Sequence, residues 1–225
     1  MSTKLAQLKA DIRACTRCDA LVRCRTQPVP GAGEVPAMVA FVGIAPGRFG
    51  GDRTGTPFSG DRSGKLLRAM IERSGLGTVF ITNLVRCNPR DERGRNRDPD
   101  AIEIENCRDH LEAELAIVKP QVIACLGQMA WRELAGRKVP FDPVHPTPVQ
   151  SKAAILFPMY HPAYVNRGAY SIRHYRRDFR RLARVVRAVI PSEVDGCHAT
   201  DVRVPRAAIL LTDIGNGVFD HPARQ

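Results

Sequence analysis

The sequence predicts an α/β fold built on a parallel sheet, and three observations carry the prediction. Four short apolar runs, at 38–43, 79–82, 121–126 and 154–159, are rich in β-branched residues and do not alternate, which is how strands buried on both faces read. Helical patterns stand between them at 63–74, 100–118 and 127–135. Strand and helix in regular succession imply right-handed crossovers, and these set parallel strands in one sheet with helices on both faces.

Taken in order, residues 4–14 read as a helix, and "CTRCDALVRC" with the Pro/Gly segment "QPVPGAGEVP" forms an irregular entry to the core. The core begins at Met38 with "MVAFVG", passes through a glycine-rich loop, and resumes in the helix-like "KLLRAMIERSG". "VFIT", "QVIACL" and "AILFPM" supply the later strands. A last helix at 171–189 closes the core, because Ile172, Tyr175, Phe179, Leu182 and Val186 keep helical spacing. Residues 1–190 form one domain. Residues 191–225 are a C-terminal tail in which the strand-like "RAAILLTD" has no assigned place.

A chain of 225 residues that is 44% apolar and 25% charged suits a single globular domain. Its formal charge of +11 and pI near 9.8 point to a polyanionic partner. Nucleic acid is favoured over a membrane surface, since no amphipathic basic segment carries the Trp-rich apolar face of an interfacial anchor. No run is long enough to span a bilayer, and the N-terminus has charges where a signal peptide needs its apolar core. The expectation is a cytoplasmic monomer. Seven cysteines in a reducing compartment suggest metal ligands or buried thiols rather than disulfides.

The stretch "GIAPGRFGGDRTGTPFSGDRSG", from Gly43 to Gly64, lies between a strand and a helix, where α/β proteins form ligand pockets. It is not a P-loop: "GDRSGKL" is one spacer short, and Leu66 stands where the metal-binding hydroxyl belongs. The glycines also miss the spacing of a dinucleotide fingerprint. Candidate site residues are those just beyond the strands: Asp52, Phe58 and Asp61 in the loop, Asn83 in "TNLVRCNP", the "CLGQ" turn, and His161 in "MYHPAYVNRG". An Asn offers a donor and an acceptor together, a Phe can stack on a flat ring, and a His can donate to developing negative charge. Together they describe a pocket for a planar heterocycle.

These motifs, with "NRDP", "ENC", "CLGQMA" and "HPAYVNRG", resemble those of the iron-sulfur uracil-DNA glycosylases over roughly residues 11–188, and the glycine loop most resembles the fifth family of that superfamily. The resemblance implies a three-layer αβα fold with a central four-stranded parallel sheet. It implies excision of uracil, with other deaminated bases in reach, from DNA in base excision repair, leaving an abasic site. It assigns Cys15, Cys18, Cys87 and Cys107 to a [4Fe-4S] cluster of structural role. On spacing alone zinc fits nearly as well, although a zinc ribbon usually closes with a second tight pair. Cys24 is read as a substitute for Cys18 or a neighbour of the cluster, and Cys125 as a buried small residue.

By the same resemblance, a flipped uracil lies against Gly43, Ala45 and Gly47, stacks on Phe58 and pairs with the Asn83 amide. His161 donates to its O2, and Asp61, with Asp52 as second choice, orients water or stabilises the sugar cation. The sequence departs from the pattern at Ile44, where the fourth family has Glu, at Gly47, where the fifth usually has Ala, and at Asp52, where Asn is common. A non-catalytic lesion binder is therefore the alternative, and a metal-containing enzyme acting on a free nucleotide is a third reading.

Arginines are expected to supply the DNA side. Five lie between Arg86 and Arg97, and seven on the last helix, among them Arg173, Arg176 and Arg177. The segment after His161 offers Tyr164, Val165 or Arg167 as a wedge for the gap left by the flipped base, with Arg167 also counted among the DNA contacts.

Overall fold

The computed structural model describes residues 3–189. Helix α1 (Thr3–Ala14) and the short α2 (Asp19–Cys24) lead into β1 (Ala32–Gly33), β2 (Val39–Gly43) and the glycine-rich loop containing α3 (Gly51–Thr54). Then follow α4 (Arg62–Glu72), β3 (Val79–Asn83), α5 (Ala101–Val118), β4 (Val122–Leu126) and α6 (Gln128–Ala135). The chain continues through β5 (Val149–Gln150), β6 (Ile155–Met159) and α7 (Pro162–Asn166), and ends in α8 (Ile172–Val189).

The sheet is six-stranded and mixed, in the order β1-β3-β2-β4-β6-β5. Its four inner strands are parallel, as the apolar runs predict, and every residue in them is buried. The expected four-stranded sheet is corrected at both edges, where β1 pairs antiparallel with β3 and β5 antiparallel with β6. Each edge strand has two residues, too few to show any periodicity, and β1 falls in the Pro/Gly segment read as irregular. They cover backbone that an open edge would expose. β5 reaches only Ile155 and Leu156, so Pro158 stands past it, where no ladder partner needs its missing N–H.

Alternate residues of the inner strands feed cores on the two faces, and Phe80 of β3 joins a smaller cluster with Leu5, Ala37 and Val118. Val39, Phe41, Ile81, Ala124 and Phe157 pack against Leu67 and Met70 of α4 and Tyr175, Phe179, Leu182 and Val186 of α8. Ala40, Val42, Ile123, Cys125 and Leu156 pack against Leu111 and Leu115 of α5 and Trp131 and Leu134 of α6. The helices therefore flank both faces. Parallel packing brings the carboxyl ends of all four inner strands to one edge, with Gly43 directly opposite Asn83 at the last rung of β2 and β3. Among the described residues, no helix is long and apolar enough to cross a membrane.

Candidate active site

A cleft of about 1220 Å³ opens at that edge, and Ile44, Ala45, Gly47, Phe58, Asp61, Asn83, Gly127 and His161 are among the residues that line it. All four strand ends contribute. At its base Asn83 is buried, yet neither Nδ2 nor Oδ1 has a hydrogen-bond partner within the protein. An unsatisfied buried amide is costly, roughly 1–3 kcal/mol for each such group, so a native structure keeps one only where something else completes it. Gly43 makes room for this amide: a Cβ there would lie 2.5 Å from Asn83 Oδ1 and 2.7 Å from the Phe58 ring.

Phe58 takes a left-handed backbone conformation, φ 49°, uncommon for a bulky residue. Arg68 of α4 holds it there, with Nε donating to the Phe58 carbonyl and Nη2 to that of Pro57, each at 2.8 Å. The ring is thereby set 5.5 Å from the His161 ring, centroid to centroid. A flat ligand over Asn83 would have an aromatic wall on one side and an imidazole at its edge.

His161 is the N-cap of α7, and its Nδ1 accepts from the Ala163 N–H at 3.2 Å. With Nδ1 accepting, a neutral ring carries its proton on Nε2. Burial, helped by the charge of Arg167, lowers the pKa to about 4, although the ring remains partly open to the cleft. Near neutral pH the residue is thus an uncharged donor.

The two loop aspartates are placed differently. Asp61 caps α4, with Oδ1 accepting from the Gly64 N–H at 2.7 Å. Its Oδ2 nests against the glycine loop at the cleft wall, where a Cβ on Gly50 would come within 2.2 Å of it. Asp52 is wholly buried, accepts from the Thr26 N–H at 2.9 Å and forms an ion pair with Arg90 at 2.6 Å. Asn88 Nδ2 donates to the Pro46 carbonyl at 2.7 Å and to Asn96 Oδ1 at 2.9 Å, while that oxygen also accepts from Arg48 N–H. Asn88 and Asn96 were not singled out from the sequence. Their only signal was membership of "RCNPR" and "NRDP", and they lock the glycine loop to the segment after β3.

With this geometry in place, comparison with known proteins gives a direct result: the pattern described as the Uracil DNA glycosylase superfamily matches residues 30–184. The chain belongs to the uracil DNA glycosylase superfamily. It is similar to a type-4 uracil-DNA glycosylase of Archaeoglobus fulgidus, 42% identical over 56% of this chain and 61% of that protein, so the match spans less than two thirds of the relative's length. A type-4 uracil-DNA glycosylase of Sulfurisphaera tokodaii is 37% identical over 71% of this chain and 74% of its own. A type-5 uracil-DNA glycosylase of Pyrobaculum aerophilum is 31% identical over 75% and 88%. The higher identities belong to type-4 proteins, so overall similarity does not favour the type-5 assignment suggested by the glycine loop.

The arginines divide. Of the five between Arg86 and Arg97, Arg86 is buried against Glu114 at 2.8 Å, Arg90 pairs with Asp52, Arg95 with Asp91 and Arg97 with Glu103. That run is therefore largely taken up in ion pairs within the chain, and only the exposed Arg93 has none among the described residues. Arg167 lines the cleft with its guanidinium over the Tyr164 ring, 5.0 Å from the centroid. Arg173 and Arg176 are exposed on α8 and Arg177 is half-buried, and none of the three is among the cleft-lining residues. Arg176 instead borders a separate groove with Arg73, Arg180 and Arg187. Of the wedge candidates, Tyr164 is exposed, while Val165 packs against the core.

Cys15 and Cys18 lie between α1 and α2, Cys87 just beyond β3, and Cys107 on α5. Burial raises the Cys107 thiol, with the neighbouring Cys15 and Cys18 adding to the rise. Three of the sulfurs already accept hydrogen bonds, Cys87 from Arg25 at 3.0 Å, Cys107 from the Arg86 N–H at 3.3 Å and Cys18 from Asn106 at 3.5 Å. Burial is the main cause that raises the Cys87 thiol to about 11. Among the described residues, no group of three or more His, Cys, Asp or Glu side chains is placed to hold a single metal ion. Cys24 donates its thiol hydrogen to the Leu21 and Asn88 carbonyls, and Cys125 is buried within β4.

Proposed function

We propose that this uracil-DNA glycosylase of base excision repair binds a uracil flipped out of DNA in the cleft above Asn83 and releases it by stabilising the departing base, leaving an abasic site. The observation that carries the reading is the buried Asn83 amide with both polar atoms unpartnered. A uracil edge presents an N–H and a carbonyl side by side, the complement of that amide. A base cannot reach the floor of the cleft while stacked in a helix, so flipping comes first.

Phe58 stacks on the base, and His161 Nε2 donates to the uracil O2 as negative charge grows there on C1′–N1 cleavage. A preorganised donor of this kind lowers the barrier by about 3 kcal/mol without transferring a proton. Loop backbone around Ala45 and Gly47 forms the wall beside the base. Asp61 at the cleft wall orients water or stabilises the sugar cation. Asp52, sealed against Arg90, is left a structural role. Ile44 offers no carboxylate to replace either.

Cys15, Cys18, Cys87 and Cys107 are assigned to a [4Fe-4S] cluster, and the N–H donors already aimed at three of the sulfurs support that assignment. When bound, such a cluster supplies thiolate-iron bonds that tie the segment before α2 to β3 and α5. The cleft is assembled within a single chain, which supports action as a monomer on DNA.

Incubation with a uracil-containing oligonucleotide followed by alkali tests the function. Strand breaks at the uracil are expected. Intact but retarded DNA would instead mark a lesion binder.

A further inference from the structure

Beside the cleft lies a second, open depression of about 470 Å³, bordered by Phe49, Arg53, Arg62, Lys65, Asn166 and Arg167. It is continuous with the cleft, since Asp61, Ser63, Ala163 and Arg167 border both. Arg53, Arg62 and Lys65 are exposed, and among the described residues their side chains have no hydrogen bond or ion pair. The one acid there, Asp61, already caps α4. Asn166 Nδ2 donates to Ser63 Oγ at 3.3 Å and ties the α7 side of the shelf to the α4 side.

Phe49 stands at the outer rim and is 67% exposed. Its ring is not loose: the Arg48 guanidinium lies 5.2 Å from the ring centroid and is itself held by donating to the Gly94 carbonyl at 2.7 Å. An aromatic ring backed by arginine, with cations around it and none of its bulk in the core, is a platform for a nucleobase. We propose that this shelf holds the DNA strand next to the flipped nucleotide, with Phe49 stacking on the neighbouring base whose face is bared when uracil leaves the stack. Arg53, Arg62 and Lys65 contact the adjoining phosphates. The proposal rests on the glycosylase reading and adds a positioning site outside the base pocket. It differs from a wedge on the α7 side because Phe49 belongs to the glycine loop.

Wild-type protein, Phe49→Ala and Phe49→Trp are titrated with uracil DNA made uncleavable by sugar fluorination, carrying 2-aminopurine on one side of the uracil or the other. Phe49→Ala is expected to bind about tenfold more weakly and to leave the 2-aminopurine brighter at one of the two positions, because a stacked neighbour is lost. Phe49→Trp should restore both signals, because an indole offers the same flat stacking face. An exposed ring can be removed without unfolding, so Phe49→Ala indistinguishable from wild type in affinity and fluorescence overturns the proposal. Excision of the cleavable strand by wild type, measured alongside, tests the glycosylase reading separately.

Discussion

Gly43 and Asn83 face each other across the last rung of β2 and β3, and a single methyl on Gly43 would lie 2.5 Å from the Asn83 carbonyl oxygen. The absence of a side chain at one position therefore keeps open the space the other needs. A buried amide with both polar atoms unpartnered is what the proposed pairing with a uracil edge would complete.

Asn83→Ala should separate function from stability. Excision of uracil should fall by roughly a hundredfold or more, because the base edge loses its reader. Urea unfolding should show no loss of stability, and a gain is expected, since the substitution removes two unsatisfied buried atoms. A large loss of stability in Asn83→Ala would show that the amide serves the fold.

The two loop aspartates should fail in opposite ways. Asp61→Asn keeps a cap for α4 and should give a slow but measurable enzyme of near-normal stability. Asp52→Asn leaves Arg90 without its carboxylate and should cost about 3 kcal/mol of stability. Its excision rate, measured well below the melting temperature, should stay near wild type. A fully active Asp61→Asn beside an inert but folded Asp52→Asn would reverse the assignment.

The pH dependence follows from His161. Its folded pKa, about 4, lies below the ordinary 6.5, so on acidification the unfolded chain takes up the proton first. The contribution to stability is complete above pH 6.5 and is lost between there and about pH 4. For catalysis the ring is a neutral donor throughout the physiological range, so single-turnover rates should show no inflection near 6.5 that His161→Ala abolishes. His161→Ala itself should slow excision by roughly a hundredfold while DNA affinity stays within a few-fold.

Protein purified without oxygen should carry about four irons per chain and absorb broadly in the visible. Replacing Cys15 or Cys107 should remove iron and much of the fold together, because ligation energy is folding energy. Replacing Cys24 should leave the iron in place. Stoichiometric zinc without iron would defeat the assignment.

DNA affinity should fall steeply with salt, since phosphate contacts release counterions. Replacing Arg62 and Lys65 together should flatten that slope by about two phosphate contacts, and replacing Arg176 and Arg177 should flatten it less. Equal effects would bring the outer face of α8 into the DNA path.

The four inner strands were legible because each is fully buried and therefore uninterrupted in its apolar character. Asn83 and His161 stood out because the first ends such a run and the second stands two residues beyond one. The edge strands did not, being two residues long. Charge was the least legible feature. Arg86 and Arg97 look in sequence like part of a DNA-binding run, but their acids, Glu114 and Glu103, come from α5, and Glu114 lies 28 residues from Arg86. The same holds for Asp52, whose partner Arg90 lies 38 residues on.

The hydrogen bond from the Ala163 N–H to His161 Nδ1 has a consequence for how the donor is inherited. In many sites an imidazole takes its orientation from a carboxylate, and one point mutation can disturb it. Here the orienting group is main chain two residues away, present whatever side chain occupies position 163. Only proline there would remove it. The tautomer is thus written into the backbone rather than into any replaceable residue, and substitutions among the surrounding side chains leave the proton on Nε2.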